Sequence, residues 1–205
     1  MGLELDTHDE ADLLARSRGG DLGAFNVLVE RYQRGVYNLC LRMLGSPEAA
    51  EDAAQEAFIA AFRAIRSFRG GRFRPWLFRI ASNACYDEMR RRRARPVVSL
   101  DVSGDGGDRA LDVPDRALAL DQHVENMETG RILQDALLRL HPDQRLAIVL
   151  ADVYGFDYSE IADITRTSLG TVKSRISRGR SHLRDILLEQ RELLPSRFRQ
   201  TSEET

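Results

Sequence analysis

The sequence predicts an all-α protein made of two small helical domains joined by a flexible acidic linker, the second domain being a helix-turn-helix. Three observations support this. Apolar residues recur at spacings of three and four over most of the 205 residues, as they do along one face of a helix. Capping residues, prolines and glycines divide these periodic stretches into separate helices. The stretch from Pro96 to about Glu128 has little periodicity, several glycines and many acids, which is typical of a linker.

The N-terminal domain, residues 1–95, is predicted to contain four helices. Gly45 ends the second, because glycine readily adopts the left-handed backbone found after a helix. Ser46 is a good N-cap for the third, and the proline after it suits the first helical position. Pro75 begins the fourth for the same reason, and that helix ends in a run of arginines. The predicted helices cover Glu10–Arg18, Leu22–Leu44, Ser46 to about Phe68, and Pro75–Arg93.

The third predicted helix presents two distinct faces. One face should pack inside the domain and consists of Ala54, Phe58, Ala61, Phe62 and Ile65. The other face combines two acids, an amide and an isoleucine at helical spacing, namely Asp52, Gln55, Glu56 and Ile59. This second face is either an ordinary solvated surface or a compact mixed patch that docks on a partner.

Positive charge is concentrated from the end of the third predicted helix onward. Arg63–Arg95 contains eleven arginines and only two acids, and a balance of +9 is costly unless it meets a polyanion. The loop Arg69–Arg74 is cationic and flexible, and one side of the fourth helix carries Arg79, Asn83, Tyr86 and Arg90. Aromatic and amide side chains among arginines suit the recognition of single-stranded nucleic acid. Trp76 and Phe73 are interpreted either as core residues or as platforms for bases.

The C-terminal domain, residues 129–188, is also predicted to be helical. Asp157 and Glu160 form a capping box that opens a short helix. Ser168 caps the next helix, which carries Thr171 in its first turn. The predicted helices cover Thr129–Leu140, Gln144–Tyr154 with Gly155 at its end, a short helix from Tyr158, and a final helix from Leu169 to Leu188. The first two helices should supply the core against which the last two pack.

The final helix has the pattern of a DNA recognition helix. Its apolar stripe consists of Val172, Ile176, Gly179, Leu183 and Ile186, and its opposite face of Ser174, Ser177, Arg178 and Ser181. From Arg166 to Arg184 there are six basic residues and no acid. A short capped helix, a turn and a cationic helix with small side chains form a helix-turn-helix, whose second helix enters the major groove. The alternative is an ordinary surface helix with solvated arginines.

Composition limits the remaining classes of protein. The chain has 42% hydrophobic and 30% charged residues, and its formal net charge of −2 conceals a balance of −6 over Pro96–Thr129. No apolar run is long enough for a membrane helix, and the acidic N-terminus lacks the order of a secretion signal, so a cytoplasmic protein is expected. Cys40 and Cys85 are interpreted as buried thiols, and no metal site, cofactor or catalytic site is expected.

Three motifs of this chain, in this order, resemble the extracytoplasmic-function (ECF) group of bacterial RNA polymerase sigma factors. They are DAAQEAFIAAFRAIRSFRG, then RPWLFRIASNACYDEMRRRR and, after the linker, LHPDQRLAIVLADVYGFDYSEIADI with GTVKSRISRGR. The resemblance extends over nearly the whole chain from about residue 21 to Leu188, apart from the linker. It implies an initiation subunit that binds core RNA polymerase and directs it to promoter DNA, with a duplex −35 element and a single-stranded −10 element.

The resemblance also implies a role for each candidate site residue. The residues implied to contact the polymerase clamp are Asp52, Gln55, Glu56 and Ile59. Those implied to open and read the −10 element are Arg69, Arg72, Phe73, Arg79, Asn83 and Arg90. Those implied to bind the −35 element are Thr171, Lys173, Ser174, Ser177 and Arg178, with Thr171 on phosphate. No cofactor is implied, and the protein is not expected to be an enzyme.

Three features stay open at this point. Arg166 occupies a turn position where the family usually has glycine, which implies either a left-handed arginine costing about 1 kcal/mol or a differently shaped turn. Residues 189–205 are expected to be a tail without a sensor domain, so regulation, if any, would come from a separate anti-sigma protein or from expression. The alternative function is that of a helix-turn-helix transcriptional regulator acting without core polymerase.

Overall fold

The computed structural model describes residues 7–94 and 120–189, with side chains over 10–94 and 129–189. Most of the expected linker and the expected tail from residue 190 onward lie outside the described residues. The described residues fold into helices joined by turns. These helices are α1 (Thr7–Arg18), α2 (Leu22–Leu44), α3 (Pro47–Ala64), α4 (Phe73–Ala94), α5 (Leu120–Arg139), α6 (Pro142–Ile148), α7 (Tyr158–Thr165) and α8 (Leu169–Glu189).

Helix α2 confirms the predicted bounds. At its start the Asp21 carboxylate accepts a hydrogen bond from the backbone N–H of Ala24 at 3.1 Å, which satisfies one of the free donors of the first turn. At its end Gly45 has φ +75°, and its N–H donates to the carbonyl oxygen of Leu41 at 2.8 Å. Glycine therefore closes this helix as the sequence predicts, because other residues are strained in that conformation.

Several helices differ from the predicted bounds: α1 begins at Thr7 rather than at Glu10, and α6 begins at Pro142 rather than at Gln144. Helix α3 stops at Ala64, and a 3₁₀ turn over Ile65–Ser67 completes the stretch that the sequence predicts as one helix. Helix α4 begins at Phe73, because a proline is tolerated within the first turn. Helix α5 begins at Leu120 rather than at Thr129. No glycine or proline interrupts the chain between those two positions, so its acidic composition does not prevent helix formation there.

The segment that follows α6 is a π-helical turn over Val149–Val153. Within it the backbone N–H of Tyr154 donates to the carbonyl oxygen of Val149 at 3.2 Å, which is a wider closure than that of an α-helix. Gly155 then ends the helix with φ +67°, in agreement with the prediction. Tyr154 and Phe156, on either side of this glycine, both pack against the ring of Phe78 on α4.

The helix-turn-helix is confirmed in its caps and in its turn. The Asp157 carboxylate accepts from the backbone N–H of Glu160 at 2.8 Å, and the Glu160 carboxylate accepts from the backbone N–H of Asp157 at 2.9 Å. This reciprocal pair is the predicted capping box. Arg166 after α7 has φ 51° and ψ 46°. The left-handed arginine, rather than a differently shaped turn, is therefore the alternative that the chain adopts.

Alanines form most of the buried face of α3. The buried members are Ala49, Ala50, Ala53, Ala54, Ala57 and Ala61. Their small side chains let α2 and α4 pack closely on this helix. Phe62 was predicted to lie inside but is 39% exposed, although its ring centroid lies 5.0 Å from that of Phe25. That prediction was wrong because the buried stripe runs through the alanines, which leaves Phe62 at the edge of the interface.

The N-terminal module (α1–α4) and the C-terminal module (α5–α8) share one hydrophobic core. Helix α4 packs directly on α7. The ring centroid of Phe78 lies 4.8 Å from that of Tyr154 and 5.1 Å from that of Phe156. The Tyr154 hydroxyl donates to the carbonyl oxygen of Gly35 at 2.7 Å. The two modules are thus held together by packed aromatic rings and by hydrogen bonds to backbone.

Arg145 of α6 connects the C-terminal ends of helices from both modules. Its side chain is 6% exposed, and it donates only to backbone carbonyl oxygens. These acceptors are Met43 near the end of α2, Leu137 and Leu138 near the end of α5, and Leu140 just after it. The carbonyls at a helix end carry partial negative charge, so a cation is favourable there. Burial lowers the pKa of Arg145, but an arginine stays protonated in proteins.

Replacing Arg145 by methionine should test this connection. Methionine has a similar length and is apolar, so it would fill the space but leave buried carbonyl groups without a donor. We expect the free energy of unfolding to fall by about 2–4 kcal/mol, measured by urea denaturation at 25 °C. Arg139→Met is the matched control, because Arg139 is exposed and makes a surface ion pair with Glu189 that is worth less than about 1 kcal/mol. Equal effects of the two substitutions would contradict the role of Arg145.

A second prediction concerns the close contact between α6 and α8. A Cβ atom at Gly179 would lie 2.7 Å from Cδ1 of Ile148 and 3.2 Å from Cβ of Gln144. Gly179→Ala should therefore force the two helices apart and cost about 1–3 kcal/mol in a thermal or urea unfolding experiment. Gly170→Ala on the same helix should be neutral or slightly stabilising, because the nearest atom to its Cβ is Ser168 Oγ at 3.8 Å.

Candidate nucleic-acid interface

The recognition helix α8 begins at the cap that the sequence predicts. The Ser168 hydroxyl accepts from the backbone N–H of Thr171 at 3.1 Å and lies 2.9 Å from the Thr171 hydroxyl oxygen. This pair positions the Thr171 side chain at the N-terminal end of the helix. The side of α8 that faces the rest of the module buries Val172, Ile176 and Ile186. Their packing fixes the rotation of α8 about its axis.

The predicted −35 residues form one accessible face of α8. Lys173, Ser177 and Arg178 are exposed, and Ser174 is half-buried. Among the residues that the structure describes, no acid lies within ion-pair distance of Lys173 or Arg178. Two uncompensated cations beside small hydroxyl side chains suit a groove lined by phosphates. The structure therefore brings these predicted residues together on a single surface.

Neighbouring arginines of the same helix are held by acids of the C-terminal module. Arg175 pairs with Asp143 at 2.5 Å. Arg180 makes two contacts with Asp152, at 2.5 Å and 3.1 Å. The charge of Asp152 raises the pKa of Arg180, chiefly through this hydrogen bond. These pairs anchor α8 to the helix that precedes the helix-turn-helix.

Sequence reasoning missed part of this surface. A groove beside α8 is lined by Tyr158, Lys173, Ile176, Ser177, Arg180, Ser181 and Arg184. Arg180 and Arg184 lie seven residues after Lys173 and Ser177, and this two-turn spacing could have identified them. Tyr158 belongs to α7, so the periodicity of α8 could not predict its position. The packing of α7 against α8 brings it to the groove.

The cationic loop before α4 is only partly available. Gly70 and Gly71 have φ +100° and +97°, which few residues other than glycine adopt. Arg69 and Arg72 are both exposed, but Arg72 pairs with Glu160 in the capping box of α7. Farther along α4, Asn83 is exposed and Arg79 is half-buried, while Arg90 is exposed and pairs with Asp87.

Phe73 is a core residue rather than a platform for bases. Its side chain is 2% exposed. Its ring centroid lies 5.4 Å from that of Tyr32, 6.0 Å from that of Phe68 and 5.5 Å from that of Trp76. This arrangement favours the interpretation of Phe73 as a core residue, since a buried ring offers no open face to a base. The Phe73 assignment is corrected accordingly.

Arg74 lies in the same stretch but faces the C-terminal module. It donates to the carbonyl oxygen of Tyr154 at 2.7 Å, and its guanidinium lies 4.3 Å from the ring centroid of Phe156. Tyr86 of α4 likewise donates to Asp143 at 2.7 Å. Burial, together with this acidic acceptor, raises the pKa of Tyr86. The two modules thus use polar groups from the basic segment to hold each other.

A cleft of about 930 Å³ lies between the cationic loop and the helix-turn-helix. The N-terminal module contributes Arg69, Arg72, Trp76 and Arg79 to its walls, and the C-terminal module contributes Glu160, Asp163, Arg166 and Ser168. Basic residues from the two predicted DNA-binding regions therefore converge on one space.

The predicted docking face of α3 lies on the surface. Asp52, Gln55, Glu56 and Ile59 are exposed, with Ile59 at 44%. Glu56 makes a two-pronged ion pair with Arg91, with both distances at 2.9 Å, which raises the pKa of Arg91. Gln55 and Ile59 also border a mostly apolar groove between α2 and α3, which is completed by Val29, Gln33, Arg34, Tyr37, Ala54 and Phe58. The α2 side of this groove was missed because its residues share no helix with the α3 face.

The remaining sequence-based expectations concern thiols, metals and membranes. Cys40 and Cys85 are both buried and free, which confirms their interpretation, and a hydrogen bond with Cys40 together with burial raises the pKa of Cys85. Over residues 10–94 and 129–189, no cluster of three or more His, Cys, Asp or Glu could hold a metal ion. In the part of the chain that the structure describes, no helix is long and apolar enough to cross a membrane.

Comparison with known proteins gives consistent matches. Sigma-70 region 2 matches residues 28–95, and Sigma-70, region 4 matches residues 130–183. The ECF RNA polymerase sigma factor SigW of Bacillus subtilis is 39% identical over 171 residues, which cover 82% of this chain and 91% of SigW. The ECF RNA polymerase sigma factor SigE of Mycolicibacterium smegmatis is 39% identical over 164 residues, which cover 80% of this chain and 62% of SigE. A solved structure of the sigma factor RpoE with the anti-sigma factor NepR from Bartonella quintana matches with a TM-score of 0.59 and 26% identity, covering 80% of this chain and 96% of that one.

Proposed function

The chain belongs to the ECF group of RNA polymerase sigma factors, and we propose that it binds core RNA polymerase and directs it to a specific set of promoters, where it recognises both promoter elements and melts the duplex locally. The observation that carries this proposal is the presence, in one chain, of an accessible mixed face on α3 and an accessible cationic face on α8. A polymerase subunit that selects DNA needs both.

The C-terminal module is proposed to read the −35 element as duplex DNA. Lys173 and Arg178 have no acidic partner among the described residues, so their charge is available for phosphates and base edges. Ser174 and Ser177 are small enough to let the helix approach the floor of the groove. The Thr171 hydroxyl lies beside the hydroxyl of the N-cap Ser168. Thr171 is proposed to contact a phosphate of the DNA backbone at this end of the helix.

The N-terminal module is proposed to bind the −10 element as a single strand. Asn83 offers an amide for a base edge, and the neighbouring cations can follow the strand. The cations assigned here are Arg69, Arg72, Arg79 and Arg90, of which Arg72 and Arg90 must give up their present acidic partners. Both of those pairs are exposed ion pairs, which contribute little and exchange readily for phosphate.

The α3 face is proposed to dock on the polymerase through Asp52, Gln55, Glu56 and Ile59. An exposed isoleucine beside two acids and an amide provides an apolar centre with a polar rim, as protein interfaces have. The anti-sigma factor in the matching RpoE structure points to a protein of that kind as a further partner for this chain. A location in the cytoplasm and a role without catalysis of its own follow from this function.

Promoter binding requires the two modules to separate. Arg72 before α4 is ion-paired with Glu160 on α7, so the two DNA-binding regions lie next to each other. The −10 and −35 elements of one promoter are separated by more than one turn of duplex, and each turn is about 35 Å long. The packed arrangement is therefore proposed to be the form that exists before polymerase binds, and the linker between the modules to allow them to move apart.

Run-off transcription with purified core polymerase tests the proposed function. The chain should convert core enzyme into one that starts RNA at defined sites on a library of bacterial promoter fragments, and omission of the chain should abolish those transcripts. A helix-turn-helix regulator that acts without polymerase would bind duplex DNA but yield no transcript with core enzyme alone. Tight binding of the chain to core polymerase in the absence of DNA distinguishes the two functions independently.

The proposed docking face gives the next prediction. Replacing Gln55 and Glu56 together by alanine should weaken binding to core polymerase about tenfold or more, measured by fluorescence titration. The free energy of unfolding should change by no more than about 0.5 kcal/mol, because both side chains are exposed. Arg91→Ala is the matched control, since it breaks the same ion pair with Glu56 and leaves the docking face intact. If the control weakened core binding as much as the double variant, the assignment of the α3 face would fail.

Another prediction separates base reading from phosphate binding on α8. Arg178→Ala should cost about 1–3 kcal/mol of binding on the preferred −35 sequence and relax the preference at one base pair. Lys173→Ala should weaken binding to all sequences alike and lower the slope of log affinity against log salt by about one. Holoenzyme binding to matched and scrambled duplexes over a range of salt concentrations measures both quantities. Identical behaviour of the two variants on the two duplexes would refute the distinction.

A further inference from the structure

Arg166 stands out because its backbone conformation is unfavourable for an arginine. Among the described residues it is the one position other than glycine with a positive φ, at φ 51° and ψ 46°. In this left-handed conformation the Cβ atom crowds the following carbonyl oxygen, so glycine is favoured over residues with a side chain. Glycine at this turn would keep the hydrogen bond from the Arg166 N–H to the carbonyl oxygen of Ala162. The turn itself therefore does not need an arginine.

No contact within the described chain compensates for this strain. The Arg166 side chain is exposed, and none of the described residues forms a hydrogen bond or an ion pair with it. Asp163, one turn earlier, also borders the cleft but makes no ion pair with it. The opposite wall carries Arg69 and Arg79, so it offers no carboxylate to the guanidinium. Strain that the fold does not repay is characteristic of residues that serve a function in a bound state.

The position of Arg166 identifies the kind of ligand. It lies two residues before Ser168, the N-cap of α8, and therefore at the end of the recognition helix that approaches DNA in a helix-turn-helix. Thr167 and Ser168, between it and α8, both carry hydroxyl groups, and Thr167 Oγ1 lies 2.9 Å from Oγ1 of Thr165 at the end of α7. An unpaired guanidinium on the exposed turn can reach a phosphate of the duplex backbone, whereas a base edge is read from the helix face.

We propose that Arg166 is a phosphate contact of the C-terminal module, retained at the turn of the helix-turn-helix for its charge despite the left-handed backbone. This inference rests on the proposed function, because the bound duplex is promoter DNA. It predicts that stability and DNA affinity respond in opposite directions to one substitution. Removing the side chain should relieve strain in the free protein and remove an attraction in the complex.

The experiment compares Arg166→Gly with the unmodified full-length chain. The melting temperature should rise by about 2–4 °C. The affinity of the reconstituted holoenzyme for promoter duplex should fall about five- to tenfold at low salt, equally for a matched and a scrambled −35 element. The slope of log affinity against log salt should decrease by about one. Arg166→Lys, which keeps the charge, should retain most of the affinity and the full slope.

Two further variants keep the test decisive. Arg166→Asn should reproduce the loss of affinity, because asparagine tolerates the left-handed conformation and lacks the charge. Arg139→Gln is the control, because it also removes one positive charge. Arg139 pairs with Glu189 at the C-terminal end of α8, far from the turn, so this substitution should leave DNA binding unchanged. If Arg166→Gly and Arg166→Asn bound DNA with the affinity and salt slope of the unmodified chain, the inference would be overturned. If the unmodified chain itself failed to support run-off transcription, the proposed function would fail instead.

Discussion

The buried guanidinium of Arg145 is the interaction on which the joint arrangement of the two modules depends. It is surrounded by the carbonyl ends of α2 and α5, one from each module, and it meets no carboxylate within the described residues. A helix end buried without partners is costly, and a single arginine with several donors satisfies more than one such end at the same time. Leu138 and Gly45 pack closely at the same junction. A Cβ atom added at Gly45 would lie 2.4 Å from Cδ1 of Leu138.

The contact between the modules also occupies part of the basic segment that is proposed to bind the −10 element. Arg72 is paired with Glu160, and Arg74 donates to Tyr154 and stacks over Phe156. Asp143 accepts from Tyr86 of the N-terminal module and also pairs with Arg175 of the recognition helix. The proposed separation of the modules would therefore release Arg72 and Arg74, while Asp143 could keep Arg175 in position. The surface proposed to read the −35 element is built by contacts inside the C-terminal module and does not depend on the opening.

The described cations of the C-terminal module include two groups that differ in their partners. Arg145, Arg175 and Arg180 are held by carbonyls or carboxylates and serve the fold. Lys173, Arg178 and Arg166 have no acidic partner among the described residues and lie on or beside the recognition helix. A cation kept in solvent costs little, but a strained backbone does, so Arg166 indicates a function more strongly than its exposed neighbours do.

Local sequence signals by themselves determined the helices and their caps, and they picked out the face of α8 that is proposed to read DNA. The bounds of α2, the capping box at Asp157, the N-cap at Ser168 and the exposed face of α3 followed from spacing and capping chemistry, which act within a few residues. Tertiary structure alone decided that Phe73 is buried, that Phe62 is exposed and that Arg72, Arg74 and Tyr86 face the other module. Helical periodicity shows which residues share a face, but which face is covered depends on partners that are distant in the chain. For the same reason Arg145, a charged residue in an unremarkable position of the sequence, could be recognised as the centre of the fold only once the ends of α2 and α5 were brought to it.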